Sequence, residues 1–93
     1  MNIQWSERAI DEATEILTMV AEYAGFASTE RYQAEFDRLI SLAAENPQMG
    51  KTGIIKNTRE LYPINGKYRV VYEIENNALR ILTVKSTRKL HQP

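Results

Sequence analysis

The chain has 93 residues, of which 43% are hydrophobic and 26% are charged, as in an ordinary soluble domain with a thin core. It contains no cysteine and a single histidine, which excludes disulfides, thiolate metal sites and histidine clusters. We expect one domain over residues 1–93, with no metal, no cofactor and no membrane-spanning segment. The start of the chain lacks the basic and apolar stretches of a signal peptide, which favours a cytoplasmic location.

The formal net charge of zero conceals a strong asymmetry along the chain. Residues 1–46 hold nine acidic and three basic side chains, whereas residues 47–93 hold three acidic and nine basic ones. This asymmetry predicts that the second half of the chain contacts something anionic. The alternative explanation is that the first half is helical, because helices favour Glu.

The first predicted elements are a short strand and a long amphipathic helix. Residues 2–5 alternate polar and apolar side chains, which is typical of a strand. Ser6 is a natural N-cap for the helix that follows. Apolar residues then recur at steps of three and four along one face, and Gly25 marks the predicted end of this helix.

A second helix is predicted immediately afterwards. Ser28 or Thr29 can cap its start, and Pro47 ends it because proline cannot donate to the helix ladder. Only a few residues connect the two helices, so we expect them to lie antiparallel as a helical hairpin.

The rest of the chain has the pattern of short strands and tight turns. Asn65-Gly66 is a strong hairpin signal, because a type I′ turn needs positive φ at both central positions. Asn76-Asn77 predicts a second two-residue turn, and residues 85–93 form a basic tail. The candidate strands are residues 54–56, 59–64, 68–75 and 79–84.

The register of the last hairpin follows from a two-residue turn at Asn76-Asn77. Glu73 then lies opposite Arg80, and Arg69 lies opposite Val84. One face of this hairpin is apolar and should receive the helices, while the other carries the charges and stays open. The residues predicted on the helix-facing side are Tyr68, Val70, Tyr72, Ile74, Leu79 and Ile81.

Arg69 is the most distinctive charge of the open side, because this register gives it no acidic neighbour. Its guanidinium is therefore available to an outside anion. The alternative is a solvated charge on an exposed sheet. A two-residue turn at Asn65-Gly66 also places Tyr62 opposite Arg69, and it places Arg59 on the helix-facing side, where a charge fits only at the rim.

The basic tail gathers four candidates for anion binding just after the last strand. If the strand continued, Arg88 would project on the same side as Arg80. Such a cluster can hold phosphates, although a frayed basic terminus would look the same. The four residues are Lys85, Arg88, Lys89 and His91.

The order of these segments resembles the RelE/ParE superfamily of bacterial toxins over nearly the whole chain. The segments are an opening strand ending in Trp5-Ser6, a helical hairpin, ENPQMGK, TREL, GKYRVVYEI, and LRILTV followed by STR. The resemblance implies an α+β fold in which a short N-terminal strand and an antiparallel two-helix hairpin pack on one face of a small, mainly antiparallel C-terminal β-sheet. It also implies the toxin half of a type II toxin–antitoxin system, neutralised by a cognate antitoxin protein.

Two activities occur in this superfamily: ParE-like members inhibit DNA gyrase, and RelE-like members cleave messenger RNA on the ribosome. Arg69 matches the arginine of the YR motif and Arg88 the arginine after the last strand, and both would be catalytic only in a nuclease. RNA cleavage also needs a base and an acid. The sequence offers only weak candidates for these roles, namely Glu73, Tyr62, Lys85 and His91.

The long hairpin and the lack of a clear base or acid favour the ParE branch, and whether the chain is an enzyme stays open. A third possibility is a non-toxic module that only binds a partner. The residues expected to contact a target are Arg59, Tyr62, Arg69, Arg80, Lys85, Arg88, Lys89 and His91.

Overall fold

The computed structural model describes residues 1–88, which form one long helical segment and five strands. The strands form a single sheet in which β1 runs parallel to β5 and all other neighbours are antiparallel. This arrangement confirms the predicted α+β fold class. In chain order the elements are β1 (Asn2–Trp5), α1 (Glu7–Glu45), β2 (Lys51–Thr52), β3 (Arg59–Leu61), β4 (Tyr68–Glu75) and β5 (Ala78–Ser86), and the strand order is β1-β5-β4-β3-β2.

The helical segment bends sharply at Gly25, whose φ of 86° and ψ of 178° lie in a region open essentially to glycine. Leu17 and Phe36, from the two sides of the bend, line the same apolar cleft. The longest dimension of the molecule is 38 Å, whereas a straight helix of 39 residues would be about 58 Å long. The prediction of two separately capped helices joined by a short link is wrong in this detail: the structure has a single helical segment, α1, that bends at Gly25, and Ser28 and Thr29 lie inside it.

Replacing Gly25 with alanine is expected to lower the free energy of unfolding by about 1–3 kcal/mol, because a Cβ makes this backbone conformation strained. Apart from the two adjoining residues and the backbone of the same helix, no atom lies within 4 Å of the added Cβ, so the cost comes from the strained backbone conformation and not from a clash with another part of the protein. Urea denaturation measures the change. The matched control is Glu22→Ala, an exposed site of the same helix, which should change stability by less than about 0.5 kcal/mol. Equal stabilities of the two variants would contradict the role of the bend.

The start of α1 is tied to the sheet through its N-cap. The Ser6 hydroxyl accepts a hydrogen bond from the Ala9 amide at 3.0 Å, as predicted, and donates to the Leu82 carbonyl at 2.9 Å. The Ser6 amide donates to the carbonyl of Ile81 at 2.9 Å. The helix therefore begins at the edge of β5 where β1 stops. No helix within residues 1–88 is long and apolar enough to cross a membrane.

The core lies between α1 and one face of the sheet, as predicted. Tyr68 packs against Tyr32 and Phe36, with ring centroids 5.9 and 5.8 Å apart. Ile74 was predicted on this side but is 41% exposed, because it lies near the end of β4. The buried cluster consists of Ala9, Phe36, Ile40, Ala43, Ala44, Leu61, Tyr68, Val70, Tyr72, Leu79, Ile81 and Val84.

The last hairpin follows the predicted register only near its turn. Asn76 and Asn77 both have positive φ, which confirms the two-residue turn. A β-bulge then shifts the register between Val71 and Tyr72, with the extra residue in β5. Arg69 consequently lies opposite Lys85, and the prediction that it faces Val84 is wrong.

The other turn is confirmed, but the strands before it differ from the prediction. Asn65 and Gly66 have φ of 52° and 80°, and the Lys67 amide donates to the Ile64 carbonyl at 2.9 Å. The segment 54–56 is not a strand. It belongs to an exposed loop in which Ile54 is 90% exposed, while the short edge strand is β2.

Candidate target-binding face

The sheet surface opposite α1 carries charged side chains of β3, β4 and β5. Tyr68, Val70 and Tyr72 are buried beneath α1, so the residues between them point to the other side. Directly opposed residues share a face, which adds members from the neighbouring strands. We call this surface the open face; it carries Glu60, Tyr62, Arg69, Val71, Glu73 and Arg80.

Arg69 is half-buried near the centre of the open face. Its Nε is buried and has no hydrogen-bond partner within residues 1–88. Arg69 takes part in none of the ion pairs within residues 1–88, and the residue opposite it is another cation, Lys85. A guanidinium without a carboxylate partner can bind an external anion. The guanidinium of Arg69 is therefore available to an external anion, as the sequence predicts.

Glu60 is a member of the open face that the sequence interpretation missed. It lies opposite Val71 and is only 7% exposed. Its carboxylate accepts a hydrogen bond from the Tyr62 hydroxyl. This hydrogen bond raises the pKa of Tyr62 above its ordinary value, while the charge of Arg69 opposes the rise. The register that places Tyr62 beside Arg69 also places Glu60 on this face, so the signal was present.

Arg59 lies on the helix-facing side, at the rim of the sheet, where its register partner is Tyr72. Its guanidinium donates to the carbonyls of Gly50 at 2.8 Å and Gln48 at 3.2 Å, and to the Gln48 side chain at 2.5 Å. The Tyr72 hydroxyl donates to the Pro47 carbonyl at 2.8 Å and accepts from the Gly50 amide at 3.0 Å. Arg59 and Tyr72 thus hold the loop that follows α1, and the donors of the Arg59 guanidinium are used in hydrogen bonds to that loop.

Lys85 is engaged at the outer edge of β5. Its ammonium lies 2.6 Å from a carboxylate oxygen of Glu12, whose other oxygen accepts from the Val84 amide at 2.9 Å and the Thr83 hydroxyl at 2.5 Å. Burial alone would raise the pKa of Glu12, but these hydrogen bonds and one from Arg8 outweigh it and lower the pKa to about 2. Glu12 thus accepts hydrogen bonds from the edge of β5 at the positions that follow the end of its pairing with β1.

Arg80 is exposed and lies opposite Glu73, as the predicted register requires. Within residues 1–88, where ion pairs have a nitrogen–oxygen distance of 4.0 Å or less, Glu73 and Arg80 do not form one. Their interaction therefore contributes little to stability. Arg80 is thus accessible to a partner.

Arg88 follows the end of β5, is exposed, and donates from its amide to the Ser86 hydroxyl at 3.1 Å. Burial raises the pKa of Tyr68, and the charge of Arg88 acts against that rise. The strand does not continue to Arg88, so alternation does not place this side chain beside Arg80. The predicted contacts Lys89 and His91 lie outside the described residues.

Several solved structures with the same fold are toxins or toxin–antitoxin complexes. A chain of the chromosomal ParDE TA system from P. aeruginosa superimposes with a TM-score of 0.81 at 12% identity, covering 95% of this chain and 97% of that one. The intact E. coli RelBE toxin–antitoxin complex gives 0.64 at 15% identity, covering 95% and 98%. The YoeB–YefM complex from Staphylococcus aureus gives 0.60 at 19% identity, also covering 95% and 98%. At these identities the likeness shows the fold, which this chain shares with chains of the ParDE, RelBE and YoeB–YefM systems.

The sequence matches the family described as "ParE toxin of type II toxin-antitoxin system, parDE" over residues 3–91. Because the match covers nearly the entire chain, the protein belongs to this family of type II toxins. No curated protein sequence matches the chain.

Proposed function

We propose that this protein arrests bacterial growth by binding DNA gyrase and inhibiting it, with the open face as its contact surface. The observation that carries the proposal is the family match over residues 3–91. The higher TM-score for the ParDE chain than for RelBE, at equal coverage of this chain, points in the same direction.

The chemistry of the open face favours binding over catalysis. Arg69 has no carboxylate partner within residues 1–88 and supplies a cation for an anionic group. A nuclease would also need an accessible base and acid. The carboxylate of Glu60 is buried beside Tyr62, and the ammonium of Lys85 is paired with Glu12. Groups in these states are better suited to hold a surface in shape than to exchange protons with a substrate.

The partner we propose is a cognate antitoxin protein. The similar solved structures include the toxin–antitoxin complexes RelBE and YoeB–YefM, which supports this assignment. We expect an acidic partner whose segments fold on binding, cover apolar surface of this chain and contact its basic residues.

Ribosome-dependent cleavage of messenger RNA is the second candidate, and one observation favours it. Arg69, the Tyr62 hydroxyl and the Glu60 carboxylate lie together on the open face, and they are a cation, a hydroxyl and a carboxylate. These are the kinds of groups that cleavage of a phosphodiester requires.

Purified protein is expected to stop supercoiling of relaxed plasmid by gyrase while cell-free translation continues in its presence. The measurement titrates the protein against both reactions in parallel. If supercoiling continues at excess protein while translated messages are cut, the ribosome is the target. Normal growth of cells that express the protein without antitoxin would favour a non-toxic binding module.

A further inference from the structure

Glu60 is a buried carboxylate on the open face, where Val71 is also buried but the other charged residues are at least partly exposed, and this placement needs a physical reason. A Cβ at Gly53 would lie 3.3 Å from one of its oxygens, so the loop before β3 closes over the carboxylate. Within residues 1–88, the hydrogen-bond donor to this carboxylate is the neutral hydroxyl of Tyr62. Glu60 takes part in none of the ion pairs within these residues. Burying a charge with so little compensation is costly.

The Tyr62 hydroxyl connects this carboxylate to Arg69. It donates to Glu60, and Tyr62 lies across from Arg69, one position beyond the Leu61–Val70 pair, where the charge of the guanidinium opposes the rise that Glu60 causes in the pKa of Tyr62. On its other side Arg69 lies opposite Lys85, whose ammonium is held by Glu12. The negative charge of Glu60 therefore favours a guanidinium that leans toward β3.

We propose that Glu60, acting through the hydroxyl of Tyr62, is a positioning residue that holds the guanidinium of Arg69 on the open face for an anionic group of the target. The inference rests on the proposed function for its biological meaning, since the target contact is made by Arg69. A flexible arginine loses rotamer freedom when it binds, and a guanidinium that is already oriented loses less. Glu60 contributes to binding in this way without touching the target.

The direct test observes the Nε–H of Arg69 by NMR in Glu60→Gln and Tyr62→Phe. The amide of Glu60→Gln keeps the volume and still accepts from Tyr62, but it removes the charge. Exchange of this Nε–H with water is expected to become about tenfold faster in each variant, because the side chain is released. The matched control is Glu75→Gln, the same chemical change at an exposed carboxylate of β4, which should leave exchange unchanged. Parental exchange in Glu60→Gln would overturn the proposal whether or not gyrase is the target.

The functional test is a double-mutant cycle in the supercoiling assay. Glu60→Gln is expected to weaken inhibition about tenfold in the parent and to have no further effect in the Arg69→Ala background, because the two residues act as a unit. An equal loss in both backgrounds would mean that Glu60 acts independently of Arg69, and the proposal would be wrong. If the parent leaves gyrase untouched, the proposed function fails by itself, while the NMR result still decides the role of Glu60.

Discussion

Replacing Arg69 with alanine is expected to weaken gyrase inhibition by about thirtyfold to several thousandfold without unfolding the protein. Removing one partner of a desolvated charged contact typically costs about 2–5 kcal/mol of binding energy. The folded protein loses little, because Arg69 has no ion pair within residues 1–88 and its buried Nε has no acceptor there.

The measurement is the protein concentration that halves the supercoiling rate, together with a thermal unfolding curve for each variant. The matched control is Arg38→Ala, because Arg38 is an exposed arginine of α1 that pairs with Glu35 at 2.9 Å and lies away from the open face. It should inhibit as the parent does and lose less than about 0.5 kcal/mol of stability. Full inhibition by Arg69→Ala would exclude the open face around this residue as the contact surface. Loss of cooperative unfolding would show that Arg69 is structural.

Replacing Glu12 with glutamine is expected to lower the free energy of unfolding by about 2–3 kcal/mol near neutral pH. The Glu12 side chain is 16% exposed and accepts from the Val84 amide and the Thr83 hydroxyl while it pairs with Lys85. The amide keeps the volume but loses the charge. It leaves the partly buried edge of β5 with weaker acceptors, and the ammonium of Lys85 with no counter-ion from α1.

The same carboxylate predicts how stability depends on pH. The pKa of Glu12 is about 2 in the folded state, against an ordinary value of 4.5, so the folded state favours the ionised form. Its contribution is therefore fully present above about pH 4.5 and is lost as the pH falls through 2. A shift of this size corresponds to at most about 3 kcal/mol. The loss of parental stability between about pH 5 and pH 2 should exceed that of Glu12→Gln by about this amount.

Urea denaturation at several pH values measures both effects. The matched control is Glu15→Gln, which removes an exposed carboxylate from the same helix, outside the ion pairs of residues 1–88. It should follow the parental curve within about 0.5 kcal/mol. If Glu12→Gln instead shows the same pH dependence as the parent, the carboxylate does not anchor β5 in solution.

The part of the candidate site that could be predicted depends on local geometry. Alternation along β4 placed Arg69 opposite to the helix-facing tyrosines, and the Asn65-Gly66 turn placed Tyr62 on the same side. Both inferences need only the pleat of a strand and the length of a turn. The contact between Glu60 and Tyr62 follows from the same register, but its burial depends on a loop whose path the sequence does not show.

The part of the candidate site that could not be predicted depends on contacts between residues far apart in the chain. Arg59 was predicted to contact a target, but its donors hold the loop after α1, because that loop ends beside the rim of the sheet. Lys85 was predicted as part of a basic cluster that binds anions; its side chain is 46% exposed, and it is paired with a carboxylate 73 positions earlier across the edge of β5. The sequence contains both partners of each contact and gives no sign that they meet.

The sequence by itself determined the elements that rest on local rules. These are the N-cap at Ser6, the two Asn-containing turns, the end of the helical region before Pro47 and the apolar face of β4. Only the tertiary structure decided the bulge in β5, the anchoring of that strand by Glu12 and the burial of Glu60. The physical reason is the range of the interactions: caps, turns and alternation act within a few residues, whereas the register beyond a turn and the partner of a charge are set by whatever element packs against them.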